Sequence, residues 1–143
     1  MTLKDNIIRP FHLAFPVKNL DETEKWYTAI IGCTIGRKSN KWIDFNFFGH
    51  QVVAHLVNNI EEIETNEVDE NNVPSRHFGI ILTPERWKQL VAHLKSKNIK
   101  FHIKPHTRFK DKVGEQHTMF IQDPSGNFLE FKAFEDDKYI FQK

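Results

Sequence analysis

Apolar and polar positions along this chain fall into the same pattern twice. Residues 9–17 are apolar, short and closed by Pro16, which predicts a strand. Asn19 then offers a side-chain acceptor to the free amides of a helix start. Glu22 follows three residues on, as in a capping box. Trp26, Tyr27, Ile30 and Ile31 recur at helical spacing, and Gly32 supplies the stop. Residues 34–37 predict a short strand. From Trp42 to Phe48, the apolar Ile43, Phe45 and Phe47 alternate with Asp44 and Asn46, the pattern of a half-buried strand. Past Gly49, residues 51–57 read as its returning partner. The order is β-α-β-β-β.

Residues 58–75 differ. Asn, Glu and Asp dominate, no basic residue occurs and no period is visible, so this stretch is expected to be a connector. The first pattern then returns. Residues 76–82 predict a strand, and Thr83-Pro84-Glu85 is a helix start with proline at the first helical position. Trp87, Leu90, Val91 and Leu94 form one stripe, with Asn98 to close it. Residues 100–103 predict a short strand, 104–114 a polar loop, 117–122 a strand and 127–134 the last strand. The stretch Phe11-His12-Leu13-Ala14-Phe15 overlays Arg76-His77-Phe78-Gly79-Ile80 at an offset of 65 residues. The fold class expected is α+β. The whole chain, 1–143, would be one domain of two βαβββ units, at about 9–57 and 76–134. Two such sheets related by a pseudo-twofold would bring His12 and His77 together.

Composition narrows the function classes. The chain has 143 residues and a formal net charge of +1, with both signs scattered. That gives no electrostatic case for nucleic acid or an anionic membrane as partner. No run of about 18 apolar residues predicts a transmembrane helix. The N-terminal stretch Met1–Asn6 has no apolar h-region, and the single cysteine, Cys33, has no partner in the chain. Both features point to a reducing, cytoplasmic setting. Thirteen phenylalanines suggest an aromatic core or a ring-lined pocket.

The chemistry gathers at the end of the chain. The turn Asp123-Pro124-Ser125-Gly126 feeds an apolar strand in which Glu130 sits between Leu129 and Phe131. Side chains alternate faces along a strand, so Phe128, Glu130 and Lys132 share one side. A carboxylate there is costly to bury without compensation. His12 and His77, each set among apolar residues, are candidates to supply it through a shared metal ion. Two histidines and one carboxylate leave open coordination positions, and such donors suit Fe(II), Mn, Ni, Co or Zn. Lys132 could meet an anionic group on a substrate, as could Arg76, Arg108 and Lys110.

These residues give the chain a resemblance to the vicinal oxygen chelate superfamily, which includes glyoxalase I, extradiol ring-cleaving dioxygenases, and bleomycin and fosfomycin resistance proteins. The resemblance spans residues 9–134. It rests on His12, on the helix from Leu20 through Tyr27 to Gly32, on His77, and on Asp123-Pro124-Ser125-Gly126 leading to Glu130. Trp42-Ile43-Asp44-Phe45 and Gly49-His50-Gln51-Val52-Val53-Ala54-His55-Leu56 make it most similar to small predicted extradiol-type dioxygenases. It implies paired βαβββ units in a cupped, barrel-like mixed sheet around one divalent metal held by His12, His77 and Glu130. Fe(II) is the favoured ion, and a homodimer is implied. The implied activity is oxygen-dependent cleavage of a small catecholic substrate. The alternatives are a glyoxalase-like lyase or isomerase, and a non-catalytic binder of small molecules.

Glyoxalase I enzymes take a fourth ligand from the last strand of the first unit. The matching residue here is Val53, which cannot bind a metal and would line the substrate site. His55, two residues on, faces the same side and is either that ligand or a catalytic acid or base. Ring-cleaving relatives carry a tyrosine where this chain has Phe120. A phenyl ring there would contact substrate without donating a hydrogen bond.

Overall fold

The computed structural model describes residues 8–143, so the N-terminal stretch Met1–Asn6 lies outside the described residues. The chain forms two compact units, one running to Asn58 and the other starting at Asn59.

In the first unit, β1 (His12–Val17) leads into α1 (Leu20–Trp26), then β2 (Thr34–Lys38), β3 (Trp42–Phe47) and β4 (His50–Leu56). Asn19 caps α1 as expected, its Oδ1 accepting from the Glu22 amide at 2.9 Å. The helix widens into a π turn over Tyr27–Ile31 and ends at Gly32, whose φ of 86° suits a residue without Cβ. The sheet order is β1-β4-β3-β2, with β1 parallel to β4 and the other pairs antiparallel. Tyr27 is fully buried, its ring tilted against Phe15 and Phe45 at 5.5 and 5.1 Å.

The second unit repeats this order. It contains β7 (Phe78–Leu82), α2 (Pro84–Ser96), β8 (Phe101–Arg108), β9 (Gln116–Gln122) and β10 (Phe128–Phe134), with sheet order β7-β10-β9-β8. Again the first and last strands are parallel. The α2 stripe of Trp87, Val91 and Leu94 is buried, and Trp87 donates its Nε1–H to the Phe131 carbonyl at 2.8 Å. Leu94, Leu129 and Phe131 lose nearly all contact with water, and each side chain of that size contributes about 1.5–3 kcal/mol by doing so. The α+β class with two βαβββ units is therefore as expected. Each unit carries one four-stranded mixed sheet, and the second unit also carries a two-stranded one.

Three boundaries differ from the sequence expectation. The connector 58–75 contains a hairpin, β5 (Thr65–Val68) with β6 (Asn71–Pro74). Its two-residue turn sets Asp69 and Glu70 at φ of 49° and 64°, a conformation usually marked by Asn-Gly and absent from that pair by type. The stretch 104–114 is not all loop, because β8 runs on to Arg108 by pairing His106, Thr107 and Arg108 with Thr118, His117 and Gln116. Polar edge residues hid that pairing. The strand expected at 76–82 begins at Phe78, leaving His77 just ahead of it.

The turn before β10 is held by one buried carboxylate. Asp123 Oδ1 accepts from the amides of Ser125 and Asn127 at 2.9 and 2.8 Å, and Oδ2 from Asn127 Nδ2 at 2.9 Å. This fixes where β10 starts and so which face Glu130 takes. Opposite Glu130 on β7 stands Gly79, and a Cβ added there would overlap the Glu130 carbonyl. The equivalent position in the first unit, opposite Val53, is Ala14. We predict that Gly79→Ala costs upward of about 2 kcal/mol in chemical denaturation, because backbone must move. Ala14→Gly should cost only about 0.5–1 kcal/mol. Equal, small losses would show that the close approach at Gly79 does not constrain the strand pair.

Candidate metal centre

The residues around Glu130 come from adjacent strands in register. Glu130 lies beside Phe120 on β9, and Lys132 beside Thr118, so these four side chains share one face of the sheet. His106 and Ile103 extend the two rows onto β8. His77, just ahead of β7, turns its ring onto the same face. Together they border a cavity of about 160 Å³, which the β5–β6 hairpin flanks with Val68, Asn71 and Val73.

Glu130 is 8% exposed. Its Oε2 lies 2.9 Å from His77 Nε2, its Oε1 accepts from the Thr118 hydroxyl at 2.8 Å, and Lys132 Nζ stands 3.5 Å from Oε1. The other nitrogen of His77, Nδ1, is 2.8 Å from the Pro74 carbonyl. A carbonyl can only accept, so Nδ1 carries a hydrogen and Nε2 is the atom left to act. Burial alone would push the Glu130 carboxyl up. The His77 hydrogen bond, Lys132 and Thr118 outweigh it and hold the group below its ordinary 4.5. The hydrogen bond to Glu130 raises His77 above its ordinary 6.5, against burial, with the Pro74 carbonyl assisting.

An imidazole lone pair and a carboxylate are both electron-rich. They meet face to face only when a cation lies between them, either a proton on Nε2 or a metal ion. The donor set fits a metal. Two ligands about 2.1 Å from one ion and at right angles stand about 3.0 Å apart, close to the distance found here. Each ligand's remaining polar atom is already held, by Pro74 and by Thr118, which is how metal ligands are usually oriented.

The other expected site residues sit as follows. His12 opens β1 in the first unit and is exposed. Among the described residues, no three His, Cys, Asp or Glu side chains cluster as a metal site, so the pair is what the structure brings together. Val53 is buried and stands opposite Ala14 as Glu130 stands opposite Gly79. His55 is exposed on β4, between Pro16 and Trp42. Phe120 is buried and meets the His77 ring edge-on at 5.0 Å. Lys132 borders the cavity, as do Arg108 and His106. His117 lies on the opposite face, against Trp87. Burial pushes the Cys33 thiol up to about 12, so it is no nucleophile. Thr118 and Asp69 were not singled out from the sequence. Thr118 could have been found, since alternation through Phe120 puts it on the Glu130 side. The ion pair of Asp69 with Arg108, Nε to Oδ2 at 2.7 Å, depends on the hairpin and had no sequence signal.

Comparison with known proteins bears on the family and the fold. The sequence profile of the Glyoxalase/Bleomycin resistance protein/Dioxygenase superfamily matches residues 9–131. A glyoxalase/bleomycin resistance protein/dioxygenase from Alicyclobacillus acidocaldarius is 34% identical, with a TM-score of 0.78 over 93% of this chain and 96% of that one. The fosfomycin resistance protein FosX from Listeria monocytogenes shares the fold at 14% identity. A point mutant of FosX in complex with Mn(II) and 1S,2S-dihydroxypropylphosphonic acid superposes with a TM-score of 0.71 over 96% of this chain and 99% of that one. A search of curated proteins found no match. The two βαβββ units, the profile match over most of the chain and the 34% identical relative place this chain in the Glyoxalase/Bleomycin resistance protein/Dioxygenase superfamily.

Proposed function

We propose that this protein is a divalent-metal enzyme acting on a small substrate that offers two neighbouring oxygens. His77 and Glu130 are assigned as ligands, with His12 as the third. The observation that carries this reading is the 2.9 Å approach of His77 Nε2 to Glu130 Oε2 while Pro74 and Thr118 occupy their other polar atoms. The bound ion would supply Lewis acidity, stabilising negative charge that develops on the chelated oxygens. Thr118 holds the carboxylate in one rotamer. Pro74 holds the imidazole tautomer. Phe120 and Ile103 form an apolar wall that excludes water and offers a flat surface to a ring. His55 is assigned proton transfer.

For the reaction we assign oxygen-dependent ring cleavage of a small catechol with Fe(II), because a three-ligand set leaves positions open for two reactants. A glyoxalase-like lyase or isomerase using Mn, Ni, Zn or Co is the second reading. Phe120 favours it, since a phenyl ring brings no hydroxyl to the substrate. The FosX complex with Mn(II) shows that a protein of this fold takes such an ion. We further assign a homodimer and a cytoplasmic setting. Among the described residues no helix is long and apolar enough to cross a membrane.

Metal analysis on anaerobically purified protein should find about one ion per chain. It should be lost in His77→Ala, Glu130→Ala and His12→Ala, while Thr118→Val should weaken binding about 10–100-fold. His55→Ala should keep the metal and lose turnover. Iron with oxygen consumption on a catechol panel would establish ring cleavage, and another ion without oxygen uptake would favour the lyase or isomerase. Folded protein that takes up no metal would contradict the enzyme reading and leave a small-molecule binder.

The metal-free pair also has a pH signature. Glu130 is lowered, so its contribution is complete above 4.5 and fades as pH falls through its folded value. His77 is raised, so its contribution is complete below 6.5 and fades as pH rises through its folded value. Thermal melts of chelator-treated protein against Glu130→Gln should therefore show the widest gap between pH 4.5 and 6.5. A gap independent of pH would mean that the pair is not ionised.

A further inference from the structure

Arg108 stands on the same sheet face as Glu130, one row beyond Lys132. On that face the rows run Glu130–Phe120–Ile103, then Lys132–Thr118–His106, then Phe134–Gln116–Arg108. Successive rows lie roughly 7 Å apart along the strands. Arg108 and Lys132 both border the cavity that holds His77 and Glu130.

The guanidinium is unevenly used. Asp69 takes Nε at 2.7 Å, and the Phe109 ring lies 4.7 Å from the guanidinium carbon. Neither terminal Nη group has a hydrogen-bond partner among the described residues. The Arg108 side chain is only 22% exposed, whereas its partner Asp69 is 52% exposed. A carboxylate so well hydrated binds weakly, by about 0–1 kcal/mol. Asp69 therefore steadies the arginine without satisfying it. Lys132 is similar, since its 3.5 Å approach to Glu130 is a loose ion pair. Two cations with spare donors thus flank one cavity beyond its metal pair. Arginine in particular presents its donors as a planar fork that matches an oxyanion.

We propose that the substrate of this site is an anion, and that Arg108, with Lys132 beside it, binds its carboxylate, phosphate or phosphonate group. Arg108 is then the residue that sets substrate charge specificity. The oxyanion lies one to two rows, roughly 7–13 Å, from the chelating end at His77 and Glu130. The inference rests on the reading of this cavity as the active site. It does not depend on which ion is bound there.

The test uses the full chain, chelator-treated, with benzoate, inorganic phosphate and neutral benzamide as probes. Nitrogen-edited NMR follows the Arg108 Nε–H and the Gln116 amide. Benzoate or phosphate should shift both saturably, and which of the two binds tighter separates a carboxylate from a phosphate-type substrate. Benzamide should not. Arg108→Gln should lose at least about tenfold in anion affinity, within the range expected for a charged hydrogen-bond partner. Asp69→Asn removes the competing carboxylate and should bind the anion at least as tightly as the parent. No saturable shift with either anion, an equal response to benzamide, or affinity unchanged in Arg108→Gln would overturn the proposal. So would loss of binding in Asp69→Asn matching that in Arg108→Gln, which would mark the ion pair as a structural latch. Because these titrations contain no metal, their failure leaves the metal assignment standing. A failed metal assignment shows instead as absent metal in separate analysis.

Discussion

One constraint organises the second unit: a carboxylate held inside an apolar sheet. Glu130 sits between the buried Leu129 and Phe131, where an isolated charge would be costly. Each neighbour answers part of that cost. Thr118 donates to one oxygen, His77 faces the other, and Lys132 stands beside them. Gly79 lets β7 approach without a side chain in the way. Asp123 sets the turn that determines which face the carboxylate takes. Thr118, His77 and Lys132 answer the charge itself, whereas Gly79 answers the close approach of the two backbones. Buried ion pairs are weak as stabilisers and are kept where geometry matters.

The repeat shows how much of this is fold and how much is site. Both units use the same strand order, with parallel outer pairing and a helix between. The first unit puts Val53 where the second puts Glu130, and Ala14 where the second puts Gly79. The framework tolerates an apolar residue at that position without change of topology. The charged version brings its own retinue of threonine, histidine and lysine. The candidate site thus differs from its counterpart in the first unit by a few residues on one face of one sheet, while the βαβββ order is common to both units.

Much of the framework was legible in the sequence, for local reasons. Asn19 and Thr83 cap their helices through their own side chains, and Gly32 and the Asp123 turn are short-range features. Alternation put Glu130 and Lys132 on one face, and Phe120 joined them through pairing. What was not legible depends on partners distant in sequence. The β5–β6 turn uses Asp69 and Glu70 in a conformation that neither residue type announces. The extension of β8 to Arg108 exists only because β9 lies alongside. The Arg108–Asp69 contact spans 39 residues and needs both of those elements. The pairing of His77 with Glu130 was suggested by residue types, but the roles of Pro74 and Thr118 in orienting them were not.

The most direct test of the account is nitrogen NMR of the histidine rings while zinc is added to chelator-treated protein. The account predicts that His77 Nε2 loses its proton and shifts strongly at about one equivalent. Its Nδ1–H should persist, because the Pro74 carbonyl continues to hold it. An Nε2 resonance that does not move, or a ring that binds through Nδ1 instead, would contradict the assignment of His77 and Glu130 as the metal-binding pair.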